Sequence, residues 1–305
     1  MVYHEVRVVN GKKQNYLVYN KRENEKWVKK SKFIGVGEIK KEKIAKLRQE
    51  FELELRIEKR KFISKEQAEE LERLNNSYLS RIEKLSKEEF ENFESSFFTE
   101  LTYNSNAIEG SSLSLEETSL VINENITPKG KDLREIYEAK NHAKALGFIK
   151  NYKGEIDELF ILKVHSILLD NISERFAGRY RENLIRVGGS DFKFPAPEKV
   201  PQLVKNLVYW YNKTKKEMHP FELASIFSAK LVSIHPFVDG NGRISRLMMN
   251  FVLHKNKYPW VNVYMKQRED YLKAIRKAND EEYSFILEFL IKTLKDNLKD
   301  FGFID

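Results

Sequence analysis

The chain contains no cysteine. That excludes disulfides and thiolate-bound metal, and it fits a cytoplasmic setting. No run of about 18 apolar residues occurs, so no membrane span is expected. The opening Met1-Val2-Tyr3-His4-Glu5 lacks the basic-then-apolar order of a secretory signal. From Glu38 to Glu109 there is neither proline nor glycine, so nothing in that stretch interrupts a helix. Internal repeats and low-complexity tracts are absent as well.

What is present is ordinary for a protein with a packed core. The 305 residues are 41% hydrophobic and 33% charged, enough for one large domain and a smaller appendage. The net charge of +8 is unevenly placed. Residues 1–62 hold about 18 Lys/Arg against about 9 Glu, and the remainder is close to neutral. The basic character therefore belongs to the N-terminal appendage, where it can steer an acidic partner.

Three segments read as an antiparallel sheet. Val6, Val8 and Val9 precede the turn dipeptide Asn10-Gly11, and Tyr16-Leu17-Val18-Tyr19 follows. A polar turn around Arg22-Asn24 leads to Trp27-Val28 and Phe33-Ile34-Gly35. A sheet this small needs a partner surface. Residues 38–93 carry apolar side chains every three or four positions, and Ser64 and Ser86 each precede Gln67 or Glu89 by three, as in a capping box. The expected organisation is a basic β-sheet over 1–37, a helical linker or hairpin over 38–93, and an all-helical domain over 94–297. Helices are predicted at about 95–107, 114–124, 132–151, 156–170, 198–215, 220–234, 241–256, 267–278 and 281–297. Leu184-Ile185-Arg186-Val187, Gly188-Gly189 and Phe192-Lys193-Phe194 read as a β-hairpin inserted among them. The fold class is mainly α.

The chemistry is concentrated in His235-Pro236-Phe237-Val238-Asp239-Gly240-Asn241-Gly242-Arg243-Ile244-Ser245-Arg246. Pro236 disfavours helical geometry in the residue before it, so the apolar helix ending at Ile234 stops at His235. Gly240-Asn241-Gly242 opens the next helix, whose free N–H groups form an anion site that glycines leave open. Arg243 and Arg246, three apart, share a face and can clamp neighbouring phosphates. Asp239 suits Mg²⁺, which combines a carboxylate with phosphate oxygens. His235 titrates near neutrality and suits a general base for a hydroxyl. Taken singly, each is more often a cap, a turn or a solvated charge; in this order and spacing they point to triphosphate chemistry.

This segment resembles the Fic motif, HPF-x-[DE]-GNGR-x-x-R, at every fixed position, and the resemblance extends over about residues 95–295. It implies a Fic-type helical domain and a nucleotidyltransferase that moves AMP from ATP, with Mg²⁺, to a Ser, Thr or Tyr hydroxyl of a target protein. His235 would deprotonate the hydroxyl and Asp239 would hold the metal. Gly240, Asn241 and Gly242 would cradle the α- and β-phosphates, Arg243 the β-phosphate and Arg246 the γ-phosphate. Gly242 stands where kinase-like relatives have lysine. Ser105-Asn106-Ala107-Ile108-Glu109-Gly110 resembles the inhibitory motif [ST]-x-x-x-E-[GN], which implies a helix at about 95–110 whose Glu109 pairs with Arg246 and keeps ATP from seating. The same glutamate in some relatives supports removal of AMP.

Gly178-Arg179-Tyr180-Arg181 and the hairpin at 184–196 resemble the family's lead-in and flap. The implied role is docking of the target by strand addition, with Arg186, Val187, Gly188 and Gly189 beside the nucleotide. Tyr271 and Asn279 resemble residues that border adenine, although Leu272 stands where some relatives have a second aromatic. UMP and phosphocholine transfer also occur on this fold, so the transferred group stays open. The alternative function is a nucleotide-dependent binding or regulatory protein whose basic module over 1–62 docks nucleic acid or a partner. A docking or homodimer surface is the preferred role for that module, because it carries no nucleic-acid motif.

Overall fold

The computed structural model describes residues 2–23, 26–185 and 192–305. The chain divides into two compact units, Met1–Arg60 and Lys61–Asp305.

In the first unit β1 (Val2–Val9), β2 (Lys12–Glu23) and β3 (Lys26–Val36) form an antiparallel sheet in that order. The β1–β2 turn is tight because Asn10 and Gly11 both adopt left-handed backbone, φ 51° and 71°. Val9 therefore pairs with Lys12, and Val2 with Tyr19. The partner surface such a sheet requires is supplied by α1 (Lys41–Glu58). Its Phe51 and Leu55 pack on Val2 and Leu17, and Lys32 of β3 pairs with Glu54 at 2.6 Å. The segment expected as one linker, 38–93, is thus split, because the apolar stripe of α1 is consumed by the sheet.

The second unit is helical among its described residues: α2 (Lys65–Ile82), α3 (Lys87–Ile108), α4 (Leu115–Asn123), α5 (Leu133–Asn151), α6 (Glu158–Leu168), α7 (Val200–Thr214), α8 (Pro220–Ile234), α9 (Asn241–Lys255), α10 (Arg268–Asn279) and α11 (Tyr283–Asp300). Ser64, Ser86 and Ser114 each close a capping box, with Gln67, Glu89 and Glu117. The box at Ser86 starts α3 eight residues before the boundary expected for the inhibitory helix. No helix among the described residues is long and apolar enough to cross a membrane.

α8 and α9 pack on each other and form the middle of the unit. Both are buried nearly all round: Phe221, Leu223, Ile226, Phe227 and Leu231 of α8, and Ile244, Leu247, Met248, Phe251 and Val252 of α9, are buried. Glu222 is the buried charge on α8. Fully buried, it accepts hydrogen bonds from the backbone N–H groups of Lys61 (3.0 Å), Phe62 (2.6 Å) and Ile63 (2.8 Å), which ties the segment entering α2 to the core. The turn between α8 and α9 holds His235 through Gly240, so the most extensively packed pair of helices presents the motif.

Candidate active site

His235 ends α8 in the left-handed region, φ 49° and ψ 61°. Pro236 keeps it from continuing the helix, and a side chain with a Cβ in this region is held there at a cost. Arg181 supplies the constraint. Fully buried, it donates from Nε to the His235 carbonyl (2.8 Å), from Nη1 to Asn183 O (3.0 Å) and from Nη2 to Pro195 O (2.6 Å). Its own backbone N–H reaches Pro236 O at 3.0 Å. One guanidinium therefore fixes the backbone around the imidazole and at Asn183 and Pro195.

The ring of His235 has Nδ1 3.2 Å from the Val232 carbonyl. A carbonyl only accepts, so Nδ1 carries the proton and Nε2 keeps its lone pair. Burial pushes the ring's pKa down to about 4, so at neutral pH it is the free base. Phe194 packs on it, ring centres 4.4 Å apart.

Gly240 caps the start of α9 with φ 78°. A Cβ there would also meet the ring of His165 at 3.6 Å. His165 Nδ1 accepts from Gly178 N at 3.0 Å and Nε2 donates to Asp239 O at 3.0 Å; its ring stacks on Phe237 at 3.6 Å. The Asn241 carboxamide spans the turn, accepting from Phe237 N and donating to Phe237 O, both at 2.9 Å. Its side chain is thereby spent on the loop, and only its backbone N–H is left for an anion. This narrows the expected cradle to the main chain.

Asp239 and Arg243 form a cluster with two residues of α5. Arg243 Nη2 lies 3.1 Å from Asp239 and Nη1 3.1 Å from Glu138; Arg134 Nη2 lies 2.5 Å from the other Asp239 oxygen. Burial opposes the charge on Asp239, but Arg243, the Gly240 N–H and Arg134 outweigh it and hold the carboxyl below its ordinary range. Asp239 is therefore ionised at neutral pH, as an oxygen ligand for a metal would have to be. Among the described residues no three His, Cys, Asp or Glu side chains are grouped to hold a metal. A single carboxylate fits Mg²⁺ that arrives with phosphate oxygens, and fits a dedicated protein cage poorly.

Arg246 is buried, and three groups at the end of α3 hold it. Its Nε donates to Ser105 Oγ (3.1 Å), and Nη2 to Ser105 O (2.8 Å) and Glu109 Oε1 (2.7 Å). Burial works against the charge, but Glu109 and Tyr271 overcome it and raise its pKa. Glu109 reaches so far over the first turn of α9 that a Cβ on Gly242 would lie 2.1 Å from its Oε1. The carboxylate thus sits over the N-terminus of α9, where an anion is favoured. Beside it opens a cavity of about 210 Å³ lined by Glu109, His235, Gly242, Arg246, Tyr271 and Asn279, among others. The Tyr271 ring centre is 5.9 Å from the Arg246 guanidinium, and Asn279 accepts a hydrogen bond from Ser233.

Of the residues singled out from sequence, His235, Gly242, Arg246, Glu109, Tyr271 and Asn279 therefore share one cavity. Asp239 and Arg243 lie in the adjoining ion-pair cluster and do not line it. Arg186, Val187, Gly188 and Gly189 fall outside the described residues. The parts of the expected hairpin that are described, Leu184–Ile185 and Phe192–Ala196, contain no strand. Sequence reasoning named Arg181 only as part of the lead-in, without its bond to His235, and missed Arg134, Glu138, His165 and His142. The last is buried with its Nδ1 3.1 Å from Thr102 Oγ1, and burial beside Arg246 and Arg243 drives its pKa to about 3. The i,i+4 spacing of Arg134 and Glu138 was the one available signal for those two; single histidines inside apolar helices carry none.

Residues 155–253 match the family model described as Fic/DOC family. A protein adenylyltransferase Fic from Nematostella vectensis is 33% identical over 197 residues, covering 62% of this chain and 45% of that protein. One from Caenorhabditis elegans is 34% identical over 183 residues, covering 58% and 36%. The chain thus spans less than half the length of these curated relatives. Among solved structures, a Fic domain containing signaling protein from Bacteroides thetaiotaomicron superposes with a TM-score of 0.69 at 27% identity, over 75% of this chain and 94% of that one. Fic-1 from C. elegans gives 0.70 at 25%, over 86% and 76%. Residues 155–253 therefore resemble the Fic/DOC family, and the fold is similar to that of solved Fic-domain structures.

Proposed function

We propose that this protein is an adenylyltransferase that moves AMP from ATP to a Ser, Thr or Tyr hydroxyl of a target protein. The observation that carries this is the shared cavity: a free-base imidazole, an open helix N-terminus and a buried guanidinium meet beside a tyrosine-walled recess of base size. The name carried by the curated relatives supports the same reading.

In this mechanism adenine occupies the recess beside Tyr271 and Asn279, and the phosphates lie along the N-terminus of α9. His235 Nε2 removes the proton from the target hydroxyl as its oxygen attacks the α-phosphorus. The bond to the bridging oxygen breaks and pyrophosphate leaves, with Arg243 and Arg246 stabilising the charge that develops on it. Asp239 would hold Mg²⁺, which supplies Lewis-acid neutralisation of that charge. The segment 184–196 would receive the target segment.

Glu109 is the brake in this reading. It occupies the guanidinium that the terminal phosphate requires and places negative charge where that phosphate would sit. Water positioned by the same carboxylate would serve the reverse reaction, release of AMP from a modified target. The test is incubation of Glu109→Gly protein with α-labelled ATP. Incorporation is expected to exceed that of the wild type at least roughly tenfold, the scale of one charge-assisted contact. It is expected to vanish in Glu109→Gly/His235→Ala. Equal labelling of wild type and Glu109→Gly would reject the brake; labelling that survives loss of His235 would reject the base.

A further inference from the structure

A second cavity, of about 200 Å³, is lined by residues of α2, α3, α5, α9, α11 and the turn that follows α11. It shares no lining residue with the nucleotide recess. Its walls are rings: Phe93 lies 5.6 Å from Phe301 and 4.9 Å from Phe303, Phe97 lies 5.1 Å from Phe301, and Phe98 lies 5.0 Å from Trp260. Protein interiors ordinarily close voids larger than a water. An apolar void of about 150 Å³ already holds benzene, so this one has room for a bicyclic ring system.

The polar groups in the wall decide what charge such a guest carries. Asn297 is spent, bonded to the backbone of Asn262 at 2.8 and 3.0 Å. His254 is kept neutral by burial. Burial and the charge of Glu94 push the Tyr78 hydroxyl up to about 12, so it keeps its proton. What remains is the ion pair of Glu94 and Lys150. The carboxylate is the more enclosed partner, with 18% of its side chain exposed against 32% for the lysine. Lys150 can withdraw to water along its flexible stem at little cost. An anionic guest would instead have to draw Lys150 off and leave the more buried charge unpaired. The faces of the surrounding rings also attract cations.

We propose that this cavity binds a small organic cation, a protonated amine on a bicyclic aromatic ring, whose ammonium group takes the place of Lys150 beside Glu94. The site depends on none of the catalytic residues, and its test does not depend on transferase activity.

Calorimetric titration of the full chain at pH 7 with tryptamine, indole and indole-3-acetate compares one ring system at three charges. Tryptamine should bind roughly tenfold more tightly than indole, and indole-3-acetate should be the weakest. Glu94→Gln should bring tryptamine to the level of indole and leave indole unchanged, which also shows that the cavity is intact. Lys150→Met, which removes the competing cation, should tighten tryptamine. Absence of binding by all three, tightest binding of the anion, a cation preference that survives Glu94→Gln, or no gain in Lys150→Met would each overturn the proposal.

Discussion

Two guanidinium groups hold Asp239, and they are not equivalent. Both also pair with Glu138, but Arg243 is buried, whereas the Arg134 side chain is 57% exposed. An exposed partner contributes only about 0.2–1 kcal/mol, so Arg134 is the one a divalent cation can displace. Arg134→Ala in the Glu109→Gly background is expected to lower the Mg²⁺ concentration for half-maximal AMP transfer roughly threefold. A magnesium titration checks this, and an unchanged midpoint would mean that Arg134 does not compete for the carboxylate. The residues that sequence could name were those with their own chemical signature in a contiguous motif. Arg134 was illegible because its role depends on α5 approaching the α8–α9 turn, a contact made across 105 residues.

At the scale of elements, α3 is more than the carrier of one glutamate. Its last turns offer Arg246 a hydroxyl and a carbonyl from Ser105 as well as the Glu109 carboxylate. Two of those three contacts remain in Glu109→Gly, so Arg246 keeps its place when the brake is removed. Ser105→Ala removes one hydrogen bond from the charged guanidinium but leaves the Glu109 carboxylate in place, and is expected to raise basal transfer roughly fivefold, short of Glu109→Gly. Labelled AMP incorporation by the two variants side by side measures the ratio. The far end of α3 is pinned by its Ser86 capping box and the phenylalanines of the second cavity. Helix boundaries were readable where local rules set them, as at the Ser64 capping box that starts α2 and at Pro236, which stops α8. The start of α3 was placed late because its first turns, Lys87–Asn92, look like a continuation of the charged stretch before them.

For the whole molecule, three histidines have depressed pKa values: the buried His142 at about 3 and His165 at about 4, and the half-buried His235 at about 4. In the unfolded chain each titrates near 6.5. Their contribution to stability is complete above that value and is lost as pH falls from about 6.5 toward 4, because the unfolded state then binds more protons. Each costs about 1.4 kcal/mol per pH unit in that window, so thermal denaturation should shift sharply downward between pH 6.5 and 5. A midpoint flat across that range would contradict the buried neutral state. At this scale the sequence conveyed a basic β appendage and a helical body, and the Asn10-Gly11 hairpin turn stands where it was expected. It did not convey that α1 belongs with the sheet, since the apolar stripe of α1 reads the same whichever surface it meets.

The void left by the missing side chain at Gly242 admits an oxygen 2.1 Å from where a Cβ would stand. In this geometry the space is reserved by volume and by the positive end of α9, and neither property distinguishes one oxyanion from another. Under the proposed function, any substitution at position 242 that evicts the Glu109 carboxylate therefore also narrows the berth of the phosphate. Relief of the proposed brake would then have to come from the α3 side, where the two are separate.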